Sequence, residues 1–449
     1  MTSILISGMG IVSALGNNVE ENLRSLQSKK SGIAPLRYLR TSHTEFPVGE
    51  VKMTNEEMMS LLNIPENKPT TRTSLMGMLA VREALQNAGL FNLLRHCGLD
   101  QQSLEKQRVS VFSEMIEKRI ALISGTTVGG MDKSERFYLD FFDNDTKNAY
   151  ISTHDCGSCT EMIADYFGIF SQVDTISTAC SSAANAIILG AELLKSGRAD
   201  LVVAGGSECL TKFHLNGFNS LMILDRQPCR PFDATRAGIN LGEGAAYLVM
   251  EKATFGSPTE GKVLKEGKCP TIFTKGNKKP LCRLSGYANT CDAYHQTASS
   301  PDGEGAYLAM KKALEMAELT PDQIDYINAH GTGTDNNDLS EGTAIVRLFG
   351  EKIPPISSTK SFTGHTTSAA GSVESVISIL ALQHNFIPVN LNFSEKMPEL
   401  PFIPYIDMRC ETLSNLKSHN PISQIQIRNV LCNSFGFGGN DSSLIFSMI

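Results

Sequence analysis

The feature that most constrains the fold of this chain is an internal repeat of one local pattern. In the first copy, a β-prone segment ends in Ser177-Thr-Ala-Cys180 and leads into an Ala-rich helical pattern over residues 183–194. In the second copy, Ser357-Ser-Thr-Lys360 leads into a helical pattern over residues 369–382. Repeated units of this kind bury their apolar faces against each other. The repeat therefore predicts two similar α/β halves packed about a pseudo-dyad.

A second pair of matching segments extends the repeat towards the end of each half. Glycine-led apolar runs occupy residues 242–250 and 436–446. We therefore predict an N-terminal half over residues 1–253 and a C-terminal half over residues 283–449. The Lys/Gly/Pro-rich residues 254–282 between them lack apolar periodicity, which predicts a surface insertion or linker.

Local patterns inside the first half are those of an α/β protein. Residues 72–90 form an amphipathic helical pattern, residues 120–125 read as a buried strand, and residues 91–118 predict a helical insertion. Residues 3–7 predict a strand that ends at Gly8-Met-Gly10, as in a dinucleotide-binding loop. Because Ser13 stands where the third glycine belongs and no acidic residue ends a second strand, we do not expect a dinucleotide site.

The composition excludes several function classes. The chain has 449 residues, of which 41% are hydrophobic and 19% charged, as in soluble globular proteins. The formal net charge of -7 and the absence of dense basic blocks argue against nucleic-acid binding. Neither a signal peptide nor an apolar run of membrane-spanning length is expected. Eleven irregularly spaced cysteines suit a reducing compartment, so we predict a cytoplasmic protein.

Cys180 is the candidate nucleophile. It stands at the predicted start of a helix, where free backbone N–H groups and the helix dipole lower the pKa of a thiol and can hold an oxyanion. Taken alone, the segment favours a buried structural cysteine. Two histidines in the second half shift the interpretation towards catalysis.

These histidines, His330 and His365, each lie in a turn rich in glycine and threonine. An apolar strand pattern delivers His330 into a tight, hydroxyl-rich loop, and His365 precedes the second repeated helix, five residues after Lys360. A helix N-terminus and a nearby lysine both disfavour imidazolium, so His365 should stay neutral and donate an N–H group. The pseudo-dyad would place Cys180 and His365 in one pocket. A zinc site is the competing use of these three residues, although local spacing supplies no further ligand.

The order and spacing of the motifs resemble those of the β-ketoacyl-[acyl-carrier-protein] synthases, and in particular the elongating type II condensing enzymes of thiolase fold. The resemblance spans Gly8 to Gly439. The matching segments are Ser177-Thr-Ala-Cys180-Ser-Ser-Ala-Ala-Asn-Ala, Arg230-Pro-Phe-Asp233, Gly242-Glu-Gly-Ala, Asp292-Ala-Tyr-His295, His330-Gly-Thr-Gly-Thr, Lys360-Ser-Phe-Thr-Gly-His365 and Asn433-Ser-Phe-Gly-Phe-Gly-Gly439. It implies a thiolase-like α/β fold with layers in the order α-β-α-β-α.

The resemblance also implies the reaction. Cys180 would take an acyl group from a phosphopantetheine thioester, and the N–H groups of Cys180 and Phe437 would form the oxyanion hole. His330 and His365 would then stabilise the enolate that forms when a malonyl thioester loses carbon dioxide. That carbanion would attack the acyl-Cys180 carbonyl and lengthen the chain by two carbons. His330 is also a candidate base or water-positioning group.

Supporting roles follow from the same resemblance. Lys360 would set the electrostatics around His365, paired with Glu341. Thr332 and Thr334 would hydrogen-bond the pantetheine amides, and Phe437 would act as a gate that swings aside for the acyl chain. No metal and no bound cofactor are expected, since the substrates arrive on the phosphopantetheine of an acyl carrier protein. The other predicted partner is a second copy or a related subunit, in a homodimer or heterodimer.

One motif departs from the resembled family, which usually continues as Gly-Gly-Thr-Asn where this chain has Gly438-Gly439-Asn440-Asp441. The new carboxylate beside the pocket mouth could alter loop order or substrate choice. The resembled family docks an acidic carrier protein through basic residues. Here the only candidates are scattered ones such as Lys68 and Arg72, so we assign no docking surface. Two other functions compete: a non-catalytic partner subunit of a heterodimeric ketosynthase, and a degradative thiolase, which needs a second catalytic cysteine.

Overall fold

The computed structural model describes residues 3–90, 118–143, 145–253, 279–406 and 426–449. The predicted helical insertion at residues 91–118 and the predicted surface insertion at residues 254–282 lie almost wholly outside the described residues. The described strands are β1 (Ile4–Ser13), β2 (Ile120–Gly125), β3 (Gln172–Ile176), β4 (Leu201–Glu208), β5 (Gly244–Lys252), β6 (Cys282–Cys291), β7 (Tyr326–Asn328), β8 (Ile356–Ser357), β9 (Asn429–Gly436) and β10 (Asn440–Ser447).

The helices alternate with these strands along most of the chain. They are α1 (Val19–Gln27), α2 (Asn55–Leu61), α3 (Arg72–Asn87), α4 (Met131–Phe137), α5 (Asp140–Asp143), α6 (Cys156–Phe167), α7 (Ser182–Lys195), α8 (Lys212–Ser220), α9 (Glu304–Ala317), α10 (Asp335–Phe349), α11 (Lys360–Thr363) and α12 (Ala370–His384). In the part of the chain that the structure describes, no helix is both long enough and apolar enough to cross a bilayer.

The strand order confirms the predicted duplication. The described strands form one sheet in the order β3-β2-β4-β5-β1-β6-β10-β9-β7-β8. Read inward from either edge, each half uses its third, second, fourth, fifth and first strand. The central strand of each parallel set, β2 or β7, pairs with two neighbours in parallel, and the halves meet where β1 runs antiparallel to β6.

Apolar packing confirms the layered arrangement. Helices α7 and α12, which are the two repeated helices of the sequence, share one core with residues from both halves of the sheet. Helices α3 and α6 cover the outer face of the first half. Helices α9 and α10 cover the outer face of the second. The layer order is therefore α-β-α-β-α, with the N-terminal ends of α7 and α12 in the middle of the molecule.

Strand β1 is longer than the sequence pattern predicts, because Gly8 and Gly10 lie within it rather than in a loop. Helix α3 packs directly on this strand. A Cβ atom built on Gly8 would lie 2.4 Å from the Ala84 carbonyl oxygen, and one on Gly10 would lie 2.1 Å from the Ala80 carbonyl oxygen. The glycines therefore serve close helix–strand packing, not phosphate binding.

Local sequence signals fix where the helices begin and end. Thr71 and Ser74 form a capping box at the start of α3, in which each side chain accepts from the other residue's backbone N–H. Helix α6 ends at Gly168 and α12 ends at Asn385, both in the left-handed conformation. The starts of α7 and α12 lie within one residue of their predicted positions.

Candidate active site

Cys180 lies in the turn between β3 and α7. Ala179 adopts a left-handed conformation with φ of 52°, which is strained for a residue with a side chain. Two hydrogen bonds hold the turn: Thr178 N–H donates to Ser182 Oγ, and Ser182 Oγ–H donates to the Ala179 carbonyl oxygen. The thiol is 6% exposed. The turn therefore presents a buried cysteine at the start of a central helix.

His365 comes from the equivalent place in the second half, ahead of α12. Its backbone is held by two hydrogen bonds, from His365 N–H to the Asn240 carbonyl and from Gly242 N–H to the His365 carbonyl. Its Nε2 atom lies 3.1 Å from Cys180 Sγ. The Nδ1 atom is buried and has no hydrogen-bond partner among the described residues, so no contact locks the ring in one tautomer.

His330 follows β7 and completes the group. Its ring is perpendicular to that of His365, with centroids 5.3 Å apart. Lys360 Nζ lies 3.2 Å from His330 Nδ1 and donates to the His330 carbonyl oxygen at 2.6 Å. An ammonium group has only donors, so His330 Nδ1 accepts and the proton of the neutral ring is on Nε2. The Lys360 ammonium thus fixes His330 as a donor towards Cys180 and His365.

The predicted pairing of Lys360 with Glu341 is wrong. The partner of the Lys360 ammonium is Glu374 on α12, and both side chains are almost fully buried. Glu341 instead accepts from the backbone N–H groups of His330, at 2.9 Å, and Gly331, at 2.7 Å. Because these N–H groups open the loop after β7, Glu341 orients that loop and not the lysine. The sequence offered one signal for Glu374: it is the single charged residue in the apolar helix at residues 369–382.

Burial dominates the electrostatics of the site. It lowers the pKa of both His330 and His365 well below the usual value, and the charge of Lys360 lowers both further, so both imidazoles are neutral. Burial also raises the pKa of the Cys180 thiol to about 11, although Lys360 and the Phe437 N–H act in the opposite direction. The expected lowering of the Cys180 pKa is therefore wrong, because desolvation outweighs the helix N-terminus.

A cavity of about 290 Å³ opens above Cys180. Six of the eight residues predicted for the site line it, and Lys360 and Glu341 lie behind it. The six are Cys180, His330, His365, Thr332, Thr334 and Phe437. The Thr332 and Thr334 hydroxyl oxygens are 2.8 Å apart, so one donates to the other. The cavity also contains apolar residues that sequence analysis missed, among them Phe218 and Met222 of the α8 region.

Phe437 stands at the mouth of this cavity. Its ring stacks on Phe218, with centroids 5.9 Å apart and planes 25° apart. Gly438, with φ of 80°, and Gly439, with φ of 72°, follow it in conformations that favour glycine. The Phe437 N–H acts to lower the pKa of the Cys180 thiol, so this donor faces the sulfur atom. The turn thus supplies both a covering ring and a backbone donor next to the nucleophile.

A divalent cation is the alternative occupant of the three central side chains. One ligand atom each from Cys180, His330 and His365 lie within 4.8 Å of one another. The positive Lys360 ammonium touches His330, which opposes a second cation at this position. The arrangement fits nucleophilic chemistry better than metal binding.

The two basic residues that are candidates for carrier docking differ in their exposure to solvent. Arg72 is buried, and its guanidinium is paired with Glu243 at 2.6 Å, so it cannot contact a partner. Lys68 is exposed. One exposed residue that lines the cavity is apolar, since Met222 is 87% exposed.

Comparisons with known proteins agree with this geometry. Residues 1–255 match the family model "Beta-ketoacyl synthase, N-terminal domain", and residues 281–394 match "Beta-ketoacyl synthase, C-terminal domain". The chain is 30% identical to 3-oxoacyl-[acyl-carrier-protein] synthase 1 of Haemophilus influenzae, covering 99% of both chains. It is 29% identical to 3-oxoacyl-[acyl-carrier-protein] synthase 2 of Coxiella burnetii, covering 99% of this chain and 98% of the other.

A comparison with solved structures also finds similarity to ketosynthases. A ketosynthase of Xenorhabdus doucetiae, solved in complex with its chain length factor, superposes with a TM-score of 0.77 at 28% identity. The match covers 100% of this chain and 98% of that one.

Proposed function

The chain belongs to the β-ketoacyl synthase family, and on this premise we propose how its site carries out the condensation. It is a 3-oxoacyl-[acyl-carrier-protein] synthase, an acyltransferase that joins an acyl group to a malonyl-derived unit. The observation that carries the assignment of residues is the convergence of Cys180, His330 and His365 at the floor of one cavity.

In the first half-reaction, the Cys180 sulfur attacks the carbonyl carbon of an acyl thioester. Because the thiol is neutral at physiological pH, its proton must leave, and His365 Nε2 at 3.1 Å is the acceptor. The strongly lowered pKa of His365 makes the imidazolium short-lived, so the proton passes on to the departing pantetheine sulfur. The Cys180 and Phe437 N–H groups stabilise the oxyanion in the tetrahedral intermediate.

In the second half-reaction, a malonyl thioester loses carbon dioxide, and the electron pair of the broken carbon–carbon bond becomes an enolate. His330 donates its Nε2–H to the enolate oxygen, and His365 adds a second N–H, since its tautomer is free to change. The carbanion attacks the acyl carbonyl, the new carbon–carbon bond forms, and the bond to Cys180 sulfur breaks. The sulfur then takes up a proton from water.

We propose that the substrates arrive on the phosphopantetheine of an acyl carrier protein, as the names of the relatives imply for those proteins. The paired hydroxyls of Thr332 and Thr334 line the same cavity as His330, and amide groups of the arm would hydrogen-bond to them there. The partner in assembly is a second copy or a related subunit. All eight cysteines that the structure describes are free, which supports a cytoplasmic location.

Mass spectrometry of the Cys180 peptide after incubation with an acyl thioester tests the assignment. We expect the mass of one acyl group on Cys180, and none in Cys180→Ala. Cys156→Ala, which removes a thiol outside the cavity, is the matched control and should acylate like the wild type. A folded protein without an adduct would overturn the proposal.

The same protein can be tested against the two other functions. Release of carbon dioxide from a malonyl thioester is expected of a synthase, but not of a degradative thiolase or a non-catalytic subunit. The structure supports the synthase, because Cys432, the cysteine that precedes the last glycine-rich turn, is buried in β9 and does not line the cavity. A non-catalytic subunit would have no use for the Cys180, His330 and His365 group.

A further inference from the structure

The turn that carries Phe437 is fastened to the segment that follows β6. Asp292 N–H donates to the Gly439 carbonyl oxygen at 3.2 Å. Gly438 N–H donates to the Gln296 carbonyl oxygen at 2.8 Å. Whatever moves the segment after β6 therefore moves the turn and, with it, the N–H group that faces Cys180.

Two carboxyl side chains meet behind this turn. Asp441, the second residue of β10, is 4% exposed. A Cβ atom built on Gly305 would lie 2.0 Å from Asp441 Oδ2 and 2.8 Å from Asp292 Cβ, so both side chains converge on the same glycine. A Cβ atom built on Gly439 would lie 2.1 Å from Asp292 Oδ1. The Asp292 side chain thus packs against the turn, and the Asp441 side chain lies beside Asp292 at Gly305.

The hydrogen bonds of the two carboxyl groups differ. The Asp292 carboxyl accepts two hydrogen bonds, from the backbone N–H groups of Tyr294 and Ser300, both at 3.0 Å. In the described part of the chain, no donor contacts the Asp441 carboxyl. The side chains of Asn289 and Thr290 reach only its backbone carbonyl. A buried carboxyl without donors is costly as an anion, but not as a neutral acid that can itself donate.

The charges around Asp441 favour the neutral acid. Asp292 faces it from the end of β6 and Glu341 from α10, and both are acidic. On α9, Glu304 is engaged with Arg347 in an ion pair at 2.7 Å. Cys291 and His295, also titratable, are exposed on either side of Asp292. Burial, with added repulsion from Asp292 and Glu341, raises the pKa of Asp441 to about 8.

We propose that Asp441 is a positioning residue for the condensation, which as a neutral acid donates its O–H to the Asp292 carboxylate and so holds the Phe437 turn against Cys180. The proposal rests on the proposed role of the Phe437 N–H group as an oxyanion donor. When Asp441 loses its proton, two carboxylates face each other without a cation between them. Their repulsion separates β10 from the segment after β6 and loosens the turn.

Hydrogen exchange of a peptide spanning residues 434–442 tests this in the intact protein, from pH 6.5 to pH 9.5. After correction for intrinsic exchange, wild-type protection should fall about thirtyfold by pH 9.5, because the neutral fraction of an acid falls about tenfold per pH unit above its pKa. In Asp441→Asn, protection should not change with pH. Asp302→Asn, which removes an exposed carboxylate beside α9, is the control and should behave like the wild type.

The rate of Cys180 acylation supplies the functional readout. The ratio of the Asp441→Asn rate to the wild-type rate should rise about thirtyfold from pH 7 to pH 9.5, as the neutral fraction of wild-type Asp441 falls. A ratio that does not change with pH, or wild-type protection that does not fall, would overturn the proposal. If Asp441→Asn does not fold, Asp292→Asn replaces it. Without the Asp292 charge, the pKa of Asp441 falls and its carboxylate faces no Asp292 carboxylate, so protection should not fall between pH 6.5 and pH 9.5.

The two proposals fail separately. Exchange of the 434–442 peptide needs no substrate, so it reports on the Asp292–Asp441 pair even if no variant accepts an acyl group. Absence of acylation in all variants, with the expected exchange behaviour, would count against the proposed function alone.

Discussion

At the scale of single residues, the site depends on the buried ion pair between Lys360 and Glu374. The Lys360 side chain is 1% exposed and that of Glu374 is 2% exposed. Lys360→Met leaves the Glu374 carboxylate buried without a partner, which should lower the free energy of unfolding by about 3–5 kcal/mol. It also removes the donor to His330 Nδ1. We expect urea unfolding to show the loss of stability and carbon dioxide release to show the loss of decarboxylation.

The double variant Lys360→Met, Glu374→Met separates these two effects. Replacing both charges with apolar side chains of similar length should restore most of the lost stability. Decarboxylation should stay low, because His330 still lacks the lysine that fixes its tautomer. A double variant that is as active as the wild type would show that Lys360 is not needed to orient His330.

The pH dependence of Cys180 alkylation follows from its pKa of about 11. The thiolate is the reacting species, and its fraction grows about tenfold per pH unit below the pKa. We therefore expect the rate of iodoacetamide labelling, followed by mass spectrometry of the Cys180 peptide, to keep rising up to pH 10. A rate that levels off near pH 7 would show that the helix N-terminus outweighs burial.

Sequence patterns located the reacting residues but not all of their contacts. Cys180, His330 and His365 stand in distinctive local motifs, and the repeat explains why they meet. The partner of Lys360 depends instead on which of two buried acids faces it across the core. Glu341 was the choice from spacing, but its carboxylate accepts from the loop after β7, and Glu374 takes the lysine. The direction of the Cys180 pKa shift was missed for a related reason, since burial is a property of the whole fold.

At the scale of secondary-structure elements, the packing of α3 on β1 makes a specific demand on Gly10. A methyl group at this position would lie 2.1 Å from the Ala80 carbonyl oxygen, which is backbone and cannot turn away. Gly10→Ala must therefore push the helix from the strand, at a cost of about 1–3 kcal/mol. Urea unfolding should show the loss.

Gly157→Ala is the matched control for this substitution. Gly157 lies in α6, and a Cβ atom there would have no neighbour within 4 Å. Alanine in a helix should leave stability unchanged or raise it by up to about 1 kcal/mol. Equal losses in the two variants would mean that loss of glycine, and not the contact with α3, is responsible.

The same strand shows what local patterns cannot reveal. The strand over residues 120–125 and the starts of both central helices were predicted well, because their apolar runs are long and bounded by small residues. Strand β1 was expected to stop before Gly8, because Gly8-Met-Gly10 resembles the start of a dinucleotide-binding loop. It continues to Ser13 because a helix distant in sequence covers it, and a helix that close requires glycine beneath it.

At the scale of the whole molecule, the repeat predicted two halves packed about a pseudo-dyad, with Cys180 and His365 in one pocket. The order of the layers came from the family resemblance. What the repeat does not determine is how the outer edges are covered. Strand β3 ends the sheet in the described chain, and it leads directly to the turn that holds Cys180.

The edge of the sheet at β3 and the apolar surface of α4 and α5 predict self-association. Tyr138, Leu139 and Phe142 are 60%, 74% and 73% exposed, and the rings of Tyr138 and Phe142 contact each other at 5.2 Å. An open strand edge and an exposed apolar cluster are both features that a partner covers. We expect sedimentation velocity to give twice the chain mass at micromolar concentration, and Phe142→Lys to raise the dissociation constant at least about tenfold. Leu61→Lys, at an exposed apolar position on α2, should leave it unchanged; a monomeric wild type would instead favour a related subunit as the partner.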